Sequence, residues 1–458
     1  MYIVVMSKML PKIYRNKKDF FTKKRTVIFK YRKSRNLKFP ILADRIFSGF
    51  IEYLIKKGYT SQKYEIKNNI AYVKIPKKFC FYSNPVETLE TLKLLVGMYQ
   101  NREIQVINID HTDCEELDLS ASLLMDAILY EIDSHRKLIK EPIRFTGRFK
   151  HAENNIANES MLGLLICSGV LKHLGVLKDI VLPKNIKTLD LYDQYIKHHK
   201  NINHDDAGQV VAEYFNSCYE SCDFQISQNG INKLTNLVSE IVLNCDNHSS
   251  YPKRWFCQGH FHMIPNQYSE GRVGVCQLSI ISIGNTFYES VCENGTEFIK
   301  NKLAEQYNKV SANWKNIFGF IENEKKRELF YSLYCLQENI SRFTQDNRDI
   351  DRGKGTATLF TNFQDLGKTS NGEKPILSIT SGHSNIVFDG TYMMEGDEHS
   401  PKIIAFNESN DISEEPDAKY VRIIESFFPG VVINLKFYID EKYINNLIAN
   451  KKDDTNEK

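Results

Sequence analysis

The sequence predicts a two-part α/β (α+β) protein, and three observations predict it. Across about residues 66–182, short β-branched runs alternate with helical stripes, the pattern of a mixed α/β layer. Beyond residue 205, an amphipathic helix leads into apolar strands interrupted by a helical stretch. At 458 residues the chain is long enough for two to three domains with separate cores. The pattern divides it into a basic arm (1–40), an α/β part (41–182), a polar linker (183–204), a second part (205–440) with a helical insert (287–351), and a polar tail (441–458).

From the N-terminus, residues 41–65 read as a helical stretch with Ile41, Leu42, Ile46, Phe47, Ile51 and Leu54 on one side, closed by Lys56-Lys57-Gly58. Ile70 to Pro76 alternates as a strand, Val86 to Met98 is a helical stripe, and Ile104 to Asp110 is a second strand. Leu117 to Ser122 opens an apolar helix running through Ile132, with Ser120 placed to cap it. Ile143 to Gly147 is a third strand, and Ser160 to Leu174 a helix ending at Gly175. In the second part, Leu237, Ile241 and Leu243 mark a core-facing helical stripe flanked by Val238 and Val242. Glu240 and Asn244, four residues apart, are then expected one turn apart on the opposite face. Cys276 to Ile281 is an apolar strand running into Ser282-Ile283-Gly284-Asn285-Thr286. Apolar Ile317, Phe318, Phe320, Ile321, Leu329, Leu333 and Leu336 give the insert helices of its own, and Pro375 to Gly382 and Phe428 to Leu435 read as strands.

Composition narrows the function classes. No apolar run reaches the roughly 18 residues of a membrane helix, and Met1 to Met6 lacks the features of a signal peptide, so the expectation is a cytoplasmic protein with no membrane partner. Ten scattered cysteines without a Cys-x-x-Cys pair read as small hydrophobes or reduced thiols. Cys257-Gln258-Gly259-His260-Phe261-His262 lacks a fourth ligand at finger spacing and reads as a half-exposed strand with polar histidines. Residues 1–40 hold thirteen Lys or Arg against one acid, Asp19, a formal +12 in a chain of net +3. This is either a solvated arm or docked basic face, or a nucleic-acid footprint across residues 8–38, where Tyr14, Phe20, Phe21, Phe29 and Tyr31 can stack on bases.

An asparagine carbonyl can ligate Mg²⁺, and a nearby glutamate can orient or deprotonate a water, so Glu240 and Asn244 are candidates for nucleotide chemistry. By spacing alone they are an ordinary pair on a wet helix face. The order of the segments downstream of them adds a resemblance. Glu240, Asn244 and His248 resemble the Asn-box helix of the gyrase, Hsp90, histidine-kinase and MutL (GHKL) ATPase superfamily. Ser282 to Thr286 stands where that family carries its Asp-x-Gly-x-Gly adenine box, and Arg352 to Leu359 looks like its second glycine box. The two last strands resemble the family's closing pair, the second opened by its turn glycine, Gly430. The resemblance spans about residues 205–440 and implies a Bergerat-type α/β sandwich that binds ATP and Mg²⁺, with the insert at 287–351 as its lid.

Carried over by position, Glu240 would activate water and Asn244 would hold Mg²⁺. Ser282, Gly284 and Asn285 would meet the base, while Gly353, Lys354, Gly355 and Thr356 would cradle phosphate. Arg342, Arg348 and Arg352 lie at the end of the insert, one of them placed to reach the γ-phosphate. Ser282 replaces the family's aspartate, which turns a charge-assisted contact into a neutral one worth roughly 1 kcal/mol less. Thr286 replaces the second glycine.

Residues 66–182 resemble, more loosely, a STAS domain, on the strand Val106 to Asp110, the Asp118-Leu119-Ser120-Ala121 turn and the Ser168-Gly169 helix. Leu119 stands where that family's phosphorylated serine lies. Together the resemblances imply a slow Mg²⁺-dependent ATPase switch acting through a protein partner or homodimer, in a bacterial regulatory or phage-defence setting. The alternatives are an anti-sigma-type serine kinase and a nucleic-acid-binding or scaffold protein with a degenerate pocket.

Overall fold

The structure, a computed structural model, describes residues 3–4, 49–149, 161, 163–165, 186–190, 204–248, 254–265, 272–314, 321, 323–338, 340, 357, 359–361, 363, 369, 372–396 and 401–445. The basic arm apart from Ile3 and Val4, positions 41–48 of the helix expected over 41–65, most of the helix expected over 160–174, and the candidates Gly353, Lys354, Gly355 and Thr356 lie outside the described residues, as do Arg342, Arg348 and Arg352. The chain divides into two compact units, residues 1–183 with 190–201, and residues 184–189 with 202–458. Both mix helices with sheets, so the protein is α/β.

The first unit is built on strands β1 (Ile3–Val4), β2 (Glu65–Lys67), β3 (Ile70–Lys74), β5 (Val106–His111) and β7 (Arg144–Phe149), ordered β1-β7-β5-β3-β2. Pairing is parallel between β3, β5 and β7 and antiparallel at both edges. Strands β4 (Lys78–Phe79) and β6 (Glu116–Leu117) form a small parallel pair. Helices α1 (Gly49–Lys56), α2 (Pro85–Gly97) and α3 (Leu119–Leu138) belong to the same unit. Fully buried Leu89, Leu92 and Val96 of α2, Ile107 of β5, and Leu123 and Leu129 of α3 contribute to its core.

Two expectations are corrected here. The helix over 41–65 is helical among the described residues only across Gly49–Lys56, and 59–64 is a connection into β2. Helix α3 is capped by Asp118 rather than Ser120. The Asp118 side chain accepts the Ala121 N–H at 2.7 Å and the Phe81 N–H at 2.5 Å, whereas Ser120 is inside the first turn and fully buried. A carboxylate reaching two backbone donors outcompetes a hydroxyl for the cap.

The second unit holds one five-stranded sheet of β8 (Lys187–Asp190), β9 (Arg254–Pro265), β10 (Arg272–Ile283), β11 (Ile376–Phe388) and β12 (Val421–Asp440), ordered β11-β12-β10-β9-β8. The polar stretch 183–204 therefore contains a strand of this sheet. The β9–β10, β10–β12 and β11–β12 pairs are all antiparallel. Helices α4 (His204–Glu220) and α5 (Gln228–His248) pack against one another, and α4 lies on the sheet, where Tyr214 donates to the Gln277 carbonyl at 3.2 Å and Phe215 meets the Phe437 ring edge-on. The insert supplies α6 (Phe287–Asn294), α7 (Glu297–Val310) and α8 (Asn323–Tyr334), locked around Trp314 and Phe330, whose rings meet at 5.4 Å.

Burial explains where periodicity misled. Leu243 is 37% exposed rather than core-facing, because α5 turns Leu237, Val238, Ile241 and Val242 inward instead. Strand β9 is buried on both faces: His260 and His262 are buried on one side and Cys257 and Phe261 on the other, so the half-exposed reading fails. Gly430 does not open its strand; β12 starts at Val421 and carries Gly430 in its interior, opposite Ile283. All nine described cysteines are free thiols. Among the described residues no helix is long and apolar enough to cross a membrane.

Candidate functional site

One face of the sheet and the helix laid over it enclose a cleft. Antiparallel register sets the face: Ser282 of β10 lies opposite Val431 of β12, which lies opposite Ser381 of β11. Two residues along, Ile379 lies opposite Ile433. Alternation then points Ser282, Val431, Ile433 and Ile379 to one side. Helix α5 presents Ile241, Asn244 and Cys245 at helical spacing toward that side, and Leu359 closes another wall. Asn285, Thr286 and Phe287, where β10 ends and α6 begins, complete the lining. The cleft is open at its mouth, and its empty space, about 560 Å³, includes solvent there. Among the described residues, no Asp, Glu, Lys or Arg lines it.

Of the candidates read from the sequence, the cleft brings together Asn244, Ser282 and Asn285, drawn from a helix and a strand end far apart in the chain. Glu240 does not join them. It is solvent-exposed one turn N-terminal of Asn244 and outside the lining. The expectation that Glu240 and Asn244 share a face away from the core is thus corrected, since half-buried Asn244 belongs with Ile241 and Cys245. Gly284 stands just behind the cleft with φ +154° and donates its N–H to the Pro429 carbonyl at 3.2 Å. Beside it, a Cβ on Gly430 (φ +146°) would overlap the Ser282 carbonyl oxygen. The close approach of β10 and β12 that sets the Ser282 position therefore requires glycine at 430.

Thr286 has a structural task. Its hydroxyl accepts the Glu289 N–H at 3.0 Å while the Glu289 carboxylate accepts the Thr286 N–H at 3.0 Å, a complete capping box that starts α6. Asn285 donates its amide to Glu293 at 3.0 Å, and Ser381 accepts the Phe287 N–H at 3.0 Å, tying the helix start to β11. Ser282 is 5% exposed, and among the described residues no group takes up its hydroxyl.

Sequence reasoning missed the apolar walls and one carboxyl. Ile379, Val431 and Ile433 sit in strand stretches buried on both sides, so alternation alone does not say which side faces the cleft. Glu328 of α8 is buried beneath Gly382, a bulge position in β11 with φ +59°, where a Cβ would overlap the Glu328 carboxylate and touch the Thr286 methyl. Burial raises its pKa from 4.5 to about 8, reinforced by Glu289 and Glu324 and opposed by the His383 N–H and Lys325. Polar spacing in α8 gives no hint of this, because the burial comes from β11.

Leu359 belongs to the stretch just after the glycine candidates; it and Ala357 are buried and helical. Among the described residues no cluster of His, Cys, Asp and Glu could hold a metal ion. Comparison with family models, with characterised proteins and with solved structures finds no match to this chain.

Proposed function

We propose that the second unit binds ATP with Mg²⁺ and turns it over slowly, switching the surface offered to a protein partner or second copy. The observation that carries this reading is the convergence of Asn244 and Ser282 on one neutral, largely apolar cleft. The donor set fits. Apolar walls from Ile241, Ile379 and Ile433 suit a flat base, and a hydroxyl at the floor suits its polar edge. Mg²⁺ in phosphate sites keeps several waters and takes one or two protein oxygens, which the Asn244 carbonyl can supply. The glycine stretch 353–356 would cradle phosphate, and Leu359 ties its continuation to the cleft wall. Glu240, exposed one turn before Asn244, is the group assigned to water activation.

Calorimetry with ATP and ADP, with and without Mg²⁺, tests the reading on wild type and Asn244→Ala. Micromolar Mg²⁺-dependent binding, lost in the variant, is the expected result; no binding at millimolar nucleotide would sink it. With binding in hand, γ-labelled ATP separates hydrolysis, which releases phosphate and is lost in Glu240→Gln, from a serine kinase, which labels protein. The formal +12 of residues 1–40 favours a second, separable activity toward nucleic acid. Deleting residues 1–38 should then remove a steeply salt-dependent affinity for DNA or RNA.

A further inference from the structure

We infer that the open face of the first unit's sheet binds single-stranded nucleic acid, with a base stacked on Tyr72 and phosphates on the cations around it. The inference rests on the nucleic-acid activity read from residues 1–40 and adds to it a site on the folded unit.

The two faces of the sheet β1-β7-β5-β3-β2 are unlike. Ala71, Val73, Ile107, Ile109 and Phe145 are buried on one, where α2 packs on β3. Alternation turns Tyr72, Asn108 and Thr146 to the other, and register sets the three in one row across β3, β5 and β7. Tyr72 is 44% exposed, and among the described residues no other Phe, Tyr or Trp is as open to solvent. An exposed ring on an open sheet is a platform for an unpaired base, and a duplex keeps its base faces inside its own stack. Beside the ring, the Asn108 amide donates to the Thr146 hydroxyl at 2.8 Å. That leaves the Asn108 carbonyl oxygen to accept from a base edge and the Thr146 hydrogen to donate to one.

The same face carries cations. Arg144, two residues before Thr146 on β7, is exposed and makes no ion pair among the described residues. Lys74 and Arg148 stand in the next row, with Asp110 between them. The acids are engaged: Glu65 pairs with Lys67 at 3.2 Å, and Asp110 accepts the Thr112 N–H at 2.9 Å. Lys74 holds Asp113 at 2.7 Å, a pair so exposed that exchanging it for a phosphate costs little. Two strand spacings, about 10 Å, separate Tyr72 from β7, so one nucleic-acid strand laid across the sheet meets ring and guanidinium together. The sign of the surrounding charge agrees. Edge strand β1 pairs with β7, and the chain runs from it into residues 8–38 with their thirteen Lys or Arg.

Fluorescence anisotropy on the full chain tests this, with labelled single strands of about 12 nucleotides and the matching duplex, between about 50 and 300 mM salt. RNA and DNA strands are both used, and binding of either supports the inference, because the contacts are to base and phosphate. The single strand should bind about tenfold or more tighter than the duplex. Tyr72→Ala should weaken it about tenfold with the salt dependence unchanged, while Tyr72→Phe stays within about threefold of wild type. Arg144→Gln should lower the slope of log affinity against log salt by about 0.7. Circular dichroism checks each fold, and Arg144→Gln keeps the inference testable if Tyr72→Ala misfolds. Salt-dependent binding that is equal for single strand and duplex, and indifferent to Tyr72 and Arg144, would overturn the sheet face and leave the basic arm as the site. No binding of any strand at the lowest salt would overturn both.

Discussion

Replacing Glu328 by glutamine should make the second unit more stable at alkaline pH, with a difference that grows as pH rises. The carboxyl is 4% exposed, packed under the Gly382 bulge, and its Oε1 has no hydrogen-bond partner among the described residues. Burial holds its pKa at about 8 against an ordinary 4.5. Between those values the folded protein keeps a proton that the unfolded chain has released, so stability falls as pH rises, by about 1.4 kcal/mol per pH unit. The contribution is fully present below 4.5 and lost through about 8, a range worth roughly 5 kcal/mol at full ionisation. Glutamine matches the shape, still accepts the His383 N–H, and never ionises. Urea midpoints and thermal transitions of wild type and Glu328→Gln at pH 5, 7 and 9 measure the effect. The wild-type curve should fall where the variant's stays nearly level. Parallel curves, within about 1 kcal/mol across the series, would show that the carboxyl is solvated and the burial argument wrong.

The same geometry bears on three further positions. His262, held neutral by burial with Lys436 beside it, has its pKa lowered to about 4. The unfolded chain then binds the extra proton between pH 6.5 and 4, so stability should drop by roughly 3 kcal/mol over that window, and a pH titration of His262→Gln should lack that component. Gly430→Ala forces a Cβ onto the Ser282 carbonyl at φ +146° and should cost about 2–3 kcal/mol in denaturation, with nucleotide affinity reduced in whatever folds. Thr286→Ala removes the capping box and should lower stability by about 1 kcal/mol, with faster amide exchange confined to the first turn of α6, whereas Thr286→Ser should retain most of both.

The sequence by itself determined the coarse layout. The strands near Ile70, Val106 and Arg144 and the helices starting near Pro85 and Leu119 lie where periodicity put them, because each carries an apolar pattern of one clear period. It also singled out Asn244, Ser282 and Asn285. Only the tertiary structure decided that these three share a cleft that Glu240 does not line. Helical spacing fixes relative positions around an axis, and the neighbours that the axis packs against fix which of them meet a wall. The same holds for Ile379 and Ile433, whose facing depends on antiparallel register, and for Gly430, whose need for glycine arises from a neighbouring strand's carbonyl. Glu328 is the clearest instance: nothing in its helix marks it as buried, and its altered acidity comes from desolvation by chain some fifty residues downstream.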